Sequence, residues 1–465
     1  MIDLATIVKS YDVRGVVPDQ LNPEVARALV AAFVDVVVGA GGQLVMARDM
    51  RPSGPELAAA FTAGATRRGA DVIDAGLGST DMLYFAAGYL DRPGVMFTAS
   101  HNPARYNGIK LCRAGAAPVG ADSGLSQIRA AAQAYLDHPE TLTAAGATGI
   151  STERPLLVEY AAYLRGLVDL RSIRPLRVVI DAGNGMAGYT APAVLGEHST
   201  DVRLGRLPIT VVPMYFELDG SFPNHEANPL EPANLVDLQR QVVATGGDIG
   251  LAFDGDADRC FVVDERGQAV SPSTITALVA TRELAKAPGA KIIHNLITSR
   301  AVPEVVREHG GVPVRTRVGH SYIKAEMART DAVFGGEHSA HYYFRDFWRA
   351  DTGMLAALHV LAALGEQDRP LSELVCEFHR YVGSGEINSS VTDQQERTQA
   401  VRRWFADRTD RVDELDGLTI ELTGGSWLNV RASNTEPLLR LNVEAPDPAT
   451  MARVRDEALA VIRGE

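Results

Sequence analysis

The chain is 465 residues long, several times the usual domain size of about 100 to 200 residues, so two to four domains are expected. Hydrophobic residues make up 46% and charged residues 22%, with 43 Gly and 24 Pro, proportions that exclude collagen, coiled-coil and disordered classes. The formal charge of −13 argues against a broad nucleic-acid or membrane-surface footprint, so an anionic ligand requires a local basic pocket. Cys112, Cys260 and Cys376 lie far apart in no metal spacing and read as small thiols in a reducing compartment. The opening MIDLATIVKS lacks a basic segment followed by a long apolar one, and no run reaches the roughly 18 apolar residues of a spanning helix. A cytoplasmic protein with no membrane partner is expected.

Along the chain, short β-branched runs alternate with Ala-rich helical patterns. A first block reads as strand QLVMARD (43–49), helix ELAAAFTAGATRRGA, strand DVIDAGL, helix DMLYFAAGYL and strand GVMFTAS (94–100). After a polar, Ala-rich stretch near 130–153, a second block runs through LRVVIDAGNG (176–185), the helical MAGYTAPAVL, the strand ITVVPMYF and the helix ANLVDLQRQVVA to IGLAFDGDADRCFVVDE. A third contains TITALVATRELA, KIIHNLIT, AVPEVVREHG, VPVRTRV, SYIKAEMA and AVFGGEHSAHYYF, and closes with the helix GMLAALHVLAAL. Near residue 380 the pattern changes to strands that favour hairpin pairing, with QQERTQAVRRWFADR and ATMARVRDEALAVI as helices. The chemistry-free expectation is an α/β protein: three similar α/β domains with mixed sheets at 1–147, 148–267 and 268–378, then a C-terminal α+β domain at 379–465.

FDGDADRCF places Asp254, Asp256 and Asp258 at alternate positions between two strand-like runs. Three carboxylates so close repel one another by several kcal/mol in a partly dry site unless a cation neutralises them, so a hard metal is expected. A solvated acidic turn is the plain alternative. A calcium loop is another, because Asp254, Asp256, Asp258 and Glu265 match EF-hand positions, although Arg259 stands where that loop needs Gly and the flanks read as strands. TASHNPARYNGIK puts Ser100, His101 and Asn102 at a strand end, where open α/β sheets collect ligands. Alone such a turn is more often a cap than a nucleophile, and no GxSxG elbow supports a hydrolase triad. RASNTEPLLR offers Arg431, Ser433, Asn434, Thr435 and Arg440, the guanidinium, hydroxyl and turn-amide groups that hold phosphate, or else a polar surface turn. GGEHSAH carries Glu337, Ser339 and His341, and VGHSYIK carries His320 and Lys324, groups suited to sugar hydroxyls. YDVRG adds Tyr11 and Arg14.

Together, YDVRG, TASHNP with NGIK, DGDADR, GEHSAH and RASNTEPLLR resemble, in order and approximate spacing over essentially the whole chain, the α-D-phosphohexomutase superfamily and its phosphomannomutase/phosphoglucomutase group. The resemblance implies four domains around one central cleft, each lending a loop. It implies Ser100 as a phosphoserine and Mg²⁺ held by Asp254, Asp256, Asp258 and the Ser100 phosphate. It implies Glu337 and Ser339 on sugar hydroxyls, and Arg431, Ser433, Asn434 and Thr435 on the non-reacting phosphate. Tyr11, Lys110, His320 and His341 line the substrate site, with Arg14 and Arg259 near the phosphoserine; Lys110, His101 and His341 remain open as proton-transfer groups.

The implied reaction interconverts hexose 1- and 6-phosphates, of mannose and also glucose, in two transfers through a hexose 1,6-bisphosphate, which also serves as activator. The implied partner is a small phosphosugar, and the chain acts as a monomer or homodimer. Phosphoglucosamine mutase, a phosphosugar-binding protein without turnover, and a metal-dependent sugar phosphatase are the competing readings. Two features depart from the group. His338 and Ala340 replace Met and Gly in the sugar loop, and Ile297 stands where a phosphate-contacting lysine is usual, with Arg300 or His294 as possible substitutes.

Overall fold

The computed structural model describes residues 2–9, 11–142, 147–196, 205–433 and 438–464. The chain forms two compact units, one comprising 1–271 and 339–372, the other 272–338 and 373–465. Their boundary cuts GGEHSAH between His338 and Ser339.

The first unit is built on two sheets. The first has six strands in the order Val13–Val16, Tyr106–Cys112, Gly94–Phe97, Gln43–Arg48, Asp71–Leu77, Ser151–Glu153. Its four last strands are mutually parallel, as helical crossovers require, and the strand Tyr106–Cys112 runs antiparallel to both neighbours. The alternation of strands and helices over 43–100 is as periodicity expects, whereas Val13–Val16 and Tyr106–Cys112 carry too many polar positions to show. The second of these tolerates Gly108 in its interior for a steric reason: a β-carbon there would lie 2.3 Å from the Val13 carbonyl oxygen and 2.6 Å from that of Thr98. Helix Pro23–Phe33, capped by the Asn22 side chain and opened by Pro23, packs its apolar face into a core with Leu29, Phe33, Phe61, Phe97 and Ile128.

The second sheet orders Ala269–Val270, Cys260–Asp264, Ile249–Phe253, Leu176–Asp181 and Ile209–Met214. Ile249–Phe253 and Cys260–Asp264 form an antiparallel hairpin, so Asp254 to Arg259 occupy its connecting loop. Both strands are buried throughout, which holds that loop at a set position. The unit also contains the antiparallel pair Tyr342–Phe344 and Ala350–Asp351, followed by helix Gly353–Gly365, buried along its whole length. A helix apolar on all sides belongs inside, as GMLAALHVLAAL indicates.

In the second unit, Val312–Thr316, Lys291–Asn295 and Phe334–Gly336 run parallel, with Lys291–Asn295 in the middle. The C-terminal part is an antiparallel sheet in the order Val382–Ser390, Leu438–Ala445, Trp427–Ala432, Leu418–Leu422, Thr409–Asp413. Helices Gln394–Trp404 and Pro448–Arg463 cover it through Val401, Val454, Ala458 and Ile462. Among the described residues no helix is long and apolar enough to cross a membrane.

Candidate active site

In the first unit, the hairpin loop brings three carboxylates into one buried cluster, with ligand oxygens of Asp254, Asp256 and Asp258 within 4.8 Å of one another. Glu265 is not part of it: its carboxylate accepts from the Ser372 N–H at 3.0 Å and hydroxyl at 2.5 Å. With strands rather than helices flanking the loop, the EF-hand alternative is removed.

Two cations face the three acids directly. Lys110 Nζ donates to Asp256 Oδ2 and Asp258 Oδ2, both at 2.7 Å. Arg259 donates to Asp254 Oδ2 from Nε at 2.9 Å and from Nη2 at 2.8 Å. Burial raises the Asp254 carboxyl, the attraction of Arg259 notwithstanding. Burial works in the same sense on Asp256, but the Lys110 ammonium overrides it and holds Asp256 well below the usual carboxylate range. For Lys110, burial disfavours the charge and the two carboxylates outweigh it, keeping the amine protonated far above neutrality. Asp256 Oδ1 and Asp258 Oδ1 are buried with no hydrogen-bond partner. Three acids against two paired cations, two orphaned oxygens and an all-oxygen donor set are what a hard divalent cation fits.

Ser100 lies against this cluster. It follows the buried strand Gly94–Phe97, is 4% exposed, and its hydroxyl donates to Asp254 Oδ2 at 2.9 Å. Its backbone sits at φ 51°, in the left-handed region that L-residues adopt at a cost of about 1 kcal/mol. His101 Nδ1 is 3.2 Å from Ser100 Oγ and 2.7 Å from Arg259 Nη2. A guanidinium only donates, so Nδ1 accepts and the ring proton belongs on Nε2. Burial first, then the charges of Arg259 and Arg14, push His101 down to about 2. Arg14 joins the same loop through Asn102 Oδ1 at 2.5 Å and pairs with Asp12 at 2.8 Å.

His341 belongs to this unit and is joined to the hairpin by a backbone bridge to Arg259. Its Nδ1 is 3.0 Å from Asp351 Oδ2 and 3.8 Å from Asp258 Oδ1. Ser339 shares the loop, and between them Ala340 adopts φ 65° while fully buried. That conformation accounts for glycine being the group's usual residue there. Tyr11 also lies in this unit and is half-buried.

The second unit holds the remaining residues. Glu337 Oε1 accepts from Asn295 Nδ2 at 3.1 Å and from the Gly319 N–H at 3.2 Å, which ties the Glu337 loop to a strand end and to the start of helix His320–Thr330. His320 opens that helix; its side chain, with Asn434 and Thr435, lies outside the described residues. Arg431 donates to Glu386 Oε2 at 3.0 Å and lies 3.7 Å from Asp416, and Arg440 shares Glu386 at 3.2 Å. The Ser433 N–H donates to the Leu438 carbonyl at 2.9 Å. The departures have local explanations. His338 Nδ1 is 3.3 Å from Ser273 Oγ, so the imidazole ties its loop to helix Pro272–Lys286. Ile297 is buried, Arg300 donates to the Gly425 carbonyl at 3.1 Å, and burial lowers His294 to about 4.

Several supporting residues escaped the motif reading. Thr80 donates to Asp256 Oδ2 at 2.6 Å from the start of helix Thr80–Tyr89. Beside it, buried Asp81 accepts from Tyr160 at 2.7 Å and Thr352 at 2.6 Å, and from Ser79. Asp351 follows His341 by ten residues with nothing in the intervening YYFRDFWRA to mark it. The detectable signal is only a helix-capping Ser79 and a strand-end Asp, both common.

All four domain families of phosphoglucomutase/phosphomannomutase match the chain: α/β/α domain I over 5–137, domain II over 158–267, domain III over 271–381 and the C-terminal domain over 386–461. The chain is 38% identical over 463 residues to a protein of Xanthomonas campestris pv. campestris named for phosphohexose mutases, covering 98% of this chain and 99% of that one. It is 37% identical over 463 residues to the phosphomannomutase of Escherichia coli K12, covering 99% of each. The crystal structure of a phosphoglucomutase/phosphomannomutase family protein from Burkholderia thailandensis superposes with a TM-score of 0.86 at 33% identity, covering 100% of this chain and 98% of that one.

Proposed function

Since the chain belongs to the phosphoglucomutase/phosphomannomutase family, we propose that it interconverts hexose 1-phosphate and hexose 6-phosphate, of mannose and also of glucose, with Ser100 as phosphoryl carrier. The observation that carries this reading is the Ser100 hydroxyl 2.9 Å from a carboxylate of the buried Asp254, Asp256, Asp258 cluster. A hydrolase nucleophile needs a free base beside it, and the imidazole beside Ser100 is engaged by Arg259; a phosphoryl carrier needs a place for a cation that neutralises phosphate oxygens. Asp254, Asp256 and Asp258 would hold Mg²⁺, which supplies charge neutralisation for the phosphoryl oxygens when bound.

The residues of the chain then divide the work. Phospho-Ser100 gives its phosphate to the sugar, forming a hexose 1,6-bisphosphate; after the bisphosphate reverses its orientation, the Ser100 hydroxyl takes back the other phosphate. Arg259 and Arg14, anchored on Asp254 and Asp12, neutralise charge spreading over the transferring group. His101 is unsuited as a base, since Arg259 already occupies its Nδ1 lone pair. Lys110, protonated, is an acid toward a leaving oxygen, and His341, held at Nδ1 by Asp351, keeps Nε2 for the sugar hydroxyl. Glu337 and Ser339 would bind sugar hydroxyls, and Tyr11 and His320 would complete the sugar site. Arg431, Ser433, Asn434 and Thr435 would hold whichever phosphate is not reacting. That distal group reads phosphate and not sugar, and contacts that leave C2 unread accept both epimers.

The test is a coupled assay with Mg²⁺ and catalytic hexose 1,6-bisphosphate, comparing mannose, glucose and glucosamine phosphates. The expected result is turnover of mannose and glucose 1-phosphates with comparable kcat/KM, and a Ser100→Ala variant that loses several orders of magnitude in kcat with little change in substrate affinity. A gap of about a hundredfold between the two sugars removes dual specificity. Near-normal turnover by Ser100→Ala removes the phosphoserine, and turnover of glucosamine phosphate alone reassigns the substrate.

A further inference from the structure

We propose that Arg51 and Thr98 are positioning residues that clamp the two peptide groups of Ser100 and so aim its hydroxyl for phosphoryl transfer, an inference that rests on Ser100 being the phosphoryl carrier. Ser100 needs such a hold, because its φ of 51° lies where a β-carbon is disfavoured. Its N–H donates to Thr98 Oγ1 at 2.9 Å. Its carbonyl accepts from Arg51 Nη2 at 2.9 Å.

Arg51 does more than bond one carbonyl. Nη2 also reaches the Asn102 carbonyl at 2.7 Å, and Nη1 reaches those of Pro103 at 3.0 Å and Tyr106 at 2.8 Å. Four guanidinium N–H groups therefore converge on the seven-residue reversal 100–106, whose carbonyls point toward one planar cation. A planar fork with fixed donor directions can do this, and a point-charge ammonium cannot. Arg51 is itself held: Asp49 Oδ1 accepts its backbone N–H at 3.0 Å, and Asp49 Oδ2 lies 3.3 Å from Nε. Phe222 covers the guanidinium at 5.3 Å, and the side chain is fully buried, so it touches no substrate. The strand ladders of the sheet make none of these bonds. The clamp thus acts on the geometry of the serine, to which in-line transfer is sensitive.

The test uses the full chain with Thr98→Val, which removes the Ser100 N–H acceptor at nearly constant volume, and Arg51→Lys, which keeps the charge and loses the fork. By hydrogen-exchange mass spectrometry, peptides spanning 99–107 should exchange about tenfold faster in each variant, with the strand Gln43–Arg48 unchanged. In single-turnover labelling by radiolabelled hexose 1,6-bisphosphate, the rate of Ser100 phosphorylation should fall about thirtyfold, while affinity for hexose 6-phosphate stays within about twofold. Wild-type exchange in 99–107 overturns the clamp, and so does a loss of affinity that keeps step with the loss of rate. If Arg51→Lys fails to fold, Thr98→Val decides on both readouts. If the wild-type protein takes no label at Ser100, the carrier reading fails, and the exchange measurement still decides whether the clamp exists.

Discussion

Replacing Lys110 by Met should move stability and metal affinity in opposite directions. Lys110 Nζ is 2.7 Å from carboxylate oxygens of both Asp256 and Asp258, and its side chain is 11% exposed. Removing one partner of a buried ion pair costs about 3 to 5 kcal/mol, because the remaining charge is left without compensation. At about 2 to 4 °C per kcal/mol for a unit of this size, the metal-free variant should melt about 10 °C below the wild type. In the wild-type protein an incoming cation must displace the ammonium from those oxygens; in Lys110→Met it meets them unpaired. If about half of the lost stabilisation returns on binding, near 2 kcal/mol, Mg²⁺ affinity should rise about thirtyfold. Melting curves with and without Mg²⁺ and calorimetric titration of both proteins check the two effects, and the variant's melting temperature should gain more from Mg²⁺. A variant that melts like the wild type, or that binds Mg²⁺ more weakly, refutes the competition between ammonium and cation for the same two carboxylates.

Gly255→Ala is expected to reduce turnover through backbone displacement, since a β-carbon there would lie 2.6 Å from the Ser100 carbonyl oxygen. The steric cost is about 1 to 3 kcal/mol, read as a lowered melting temperature together with reduced kcat. Tyr160→Phe removes the hydroxyl that donates to Asp81 at 2.7 Å, and should cost about 1 to 3 kcal/mol in denaturant unfolding with KM unchanged. His225→Gln addresses pH. Burial alone would lower His225, but its 3.0 Å bond to Asp181 outweighs burial and raises it above 6.5. The folded protein then holds a proton that the unfolded chain releases, so this stabilisation is complete below pH 6.5 and lost as pH rises through the folded value. Urea midpoints from pH 6 to pH 9 should therefore fall less in His225→Gln than in the wild type, and equal slopes refute the linkage.

The α/β alternation and the Asp254, Asp256, Asp258 cluster were legible because each is a local pattern: strand and helix periods, and three acids on one hairpin loop. Ser100 was legible as a strand-end polar residue only in company with the other motifs. The groups that hold these residues were not, and the reason is topological. Thr80 meets Asp256 across 176 positions, Arg51 meets Ser100 across 49, and Thr352 meets Asp81 across 271. A side chain that touches the reacting atoms tends to share a loop with its partners, because one loop can present several groups at one point. A side chain that orients such a group must approach it from behind, and therefore comes from another element whose position the chain establishes only on folding. His338 shows the limit from the other side: its replacement of Met stands out in the sequence, yet its 3.3 Å contact with Ser273 gives it a loop-holding part that no motif expresses. Ala340 differs in kind: the sequence marks it as standing where the group has glycine, and the φ of 65° that the structure gives it belongs to that one residue's backbone. Backbone requirements can be inferred one residue at a time, whereas positioning requires two elements and the fold that brings them together.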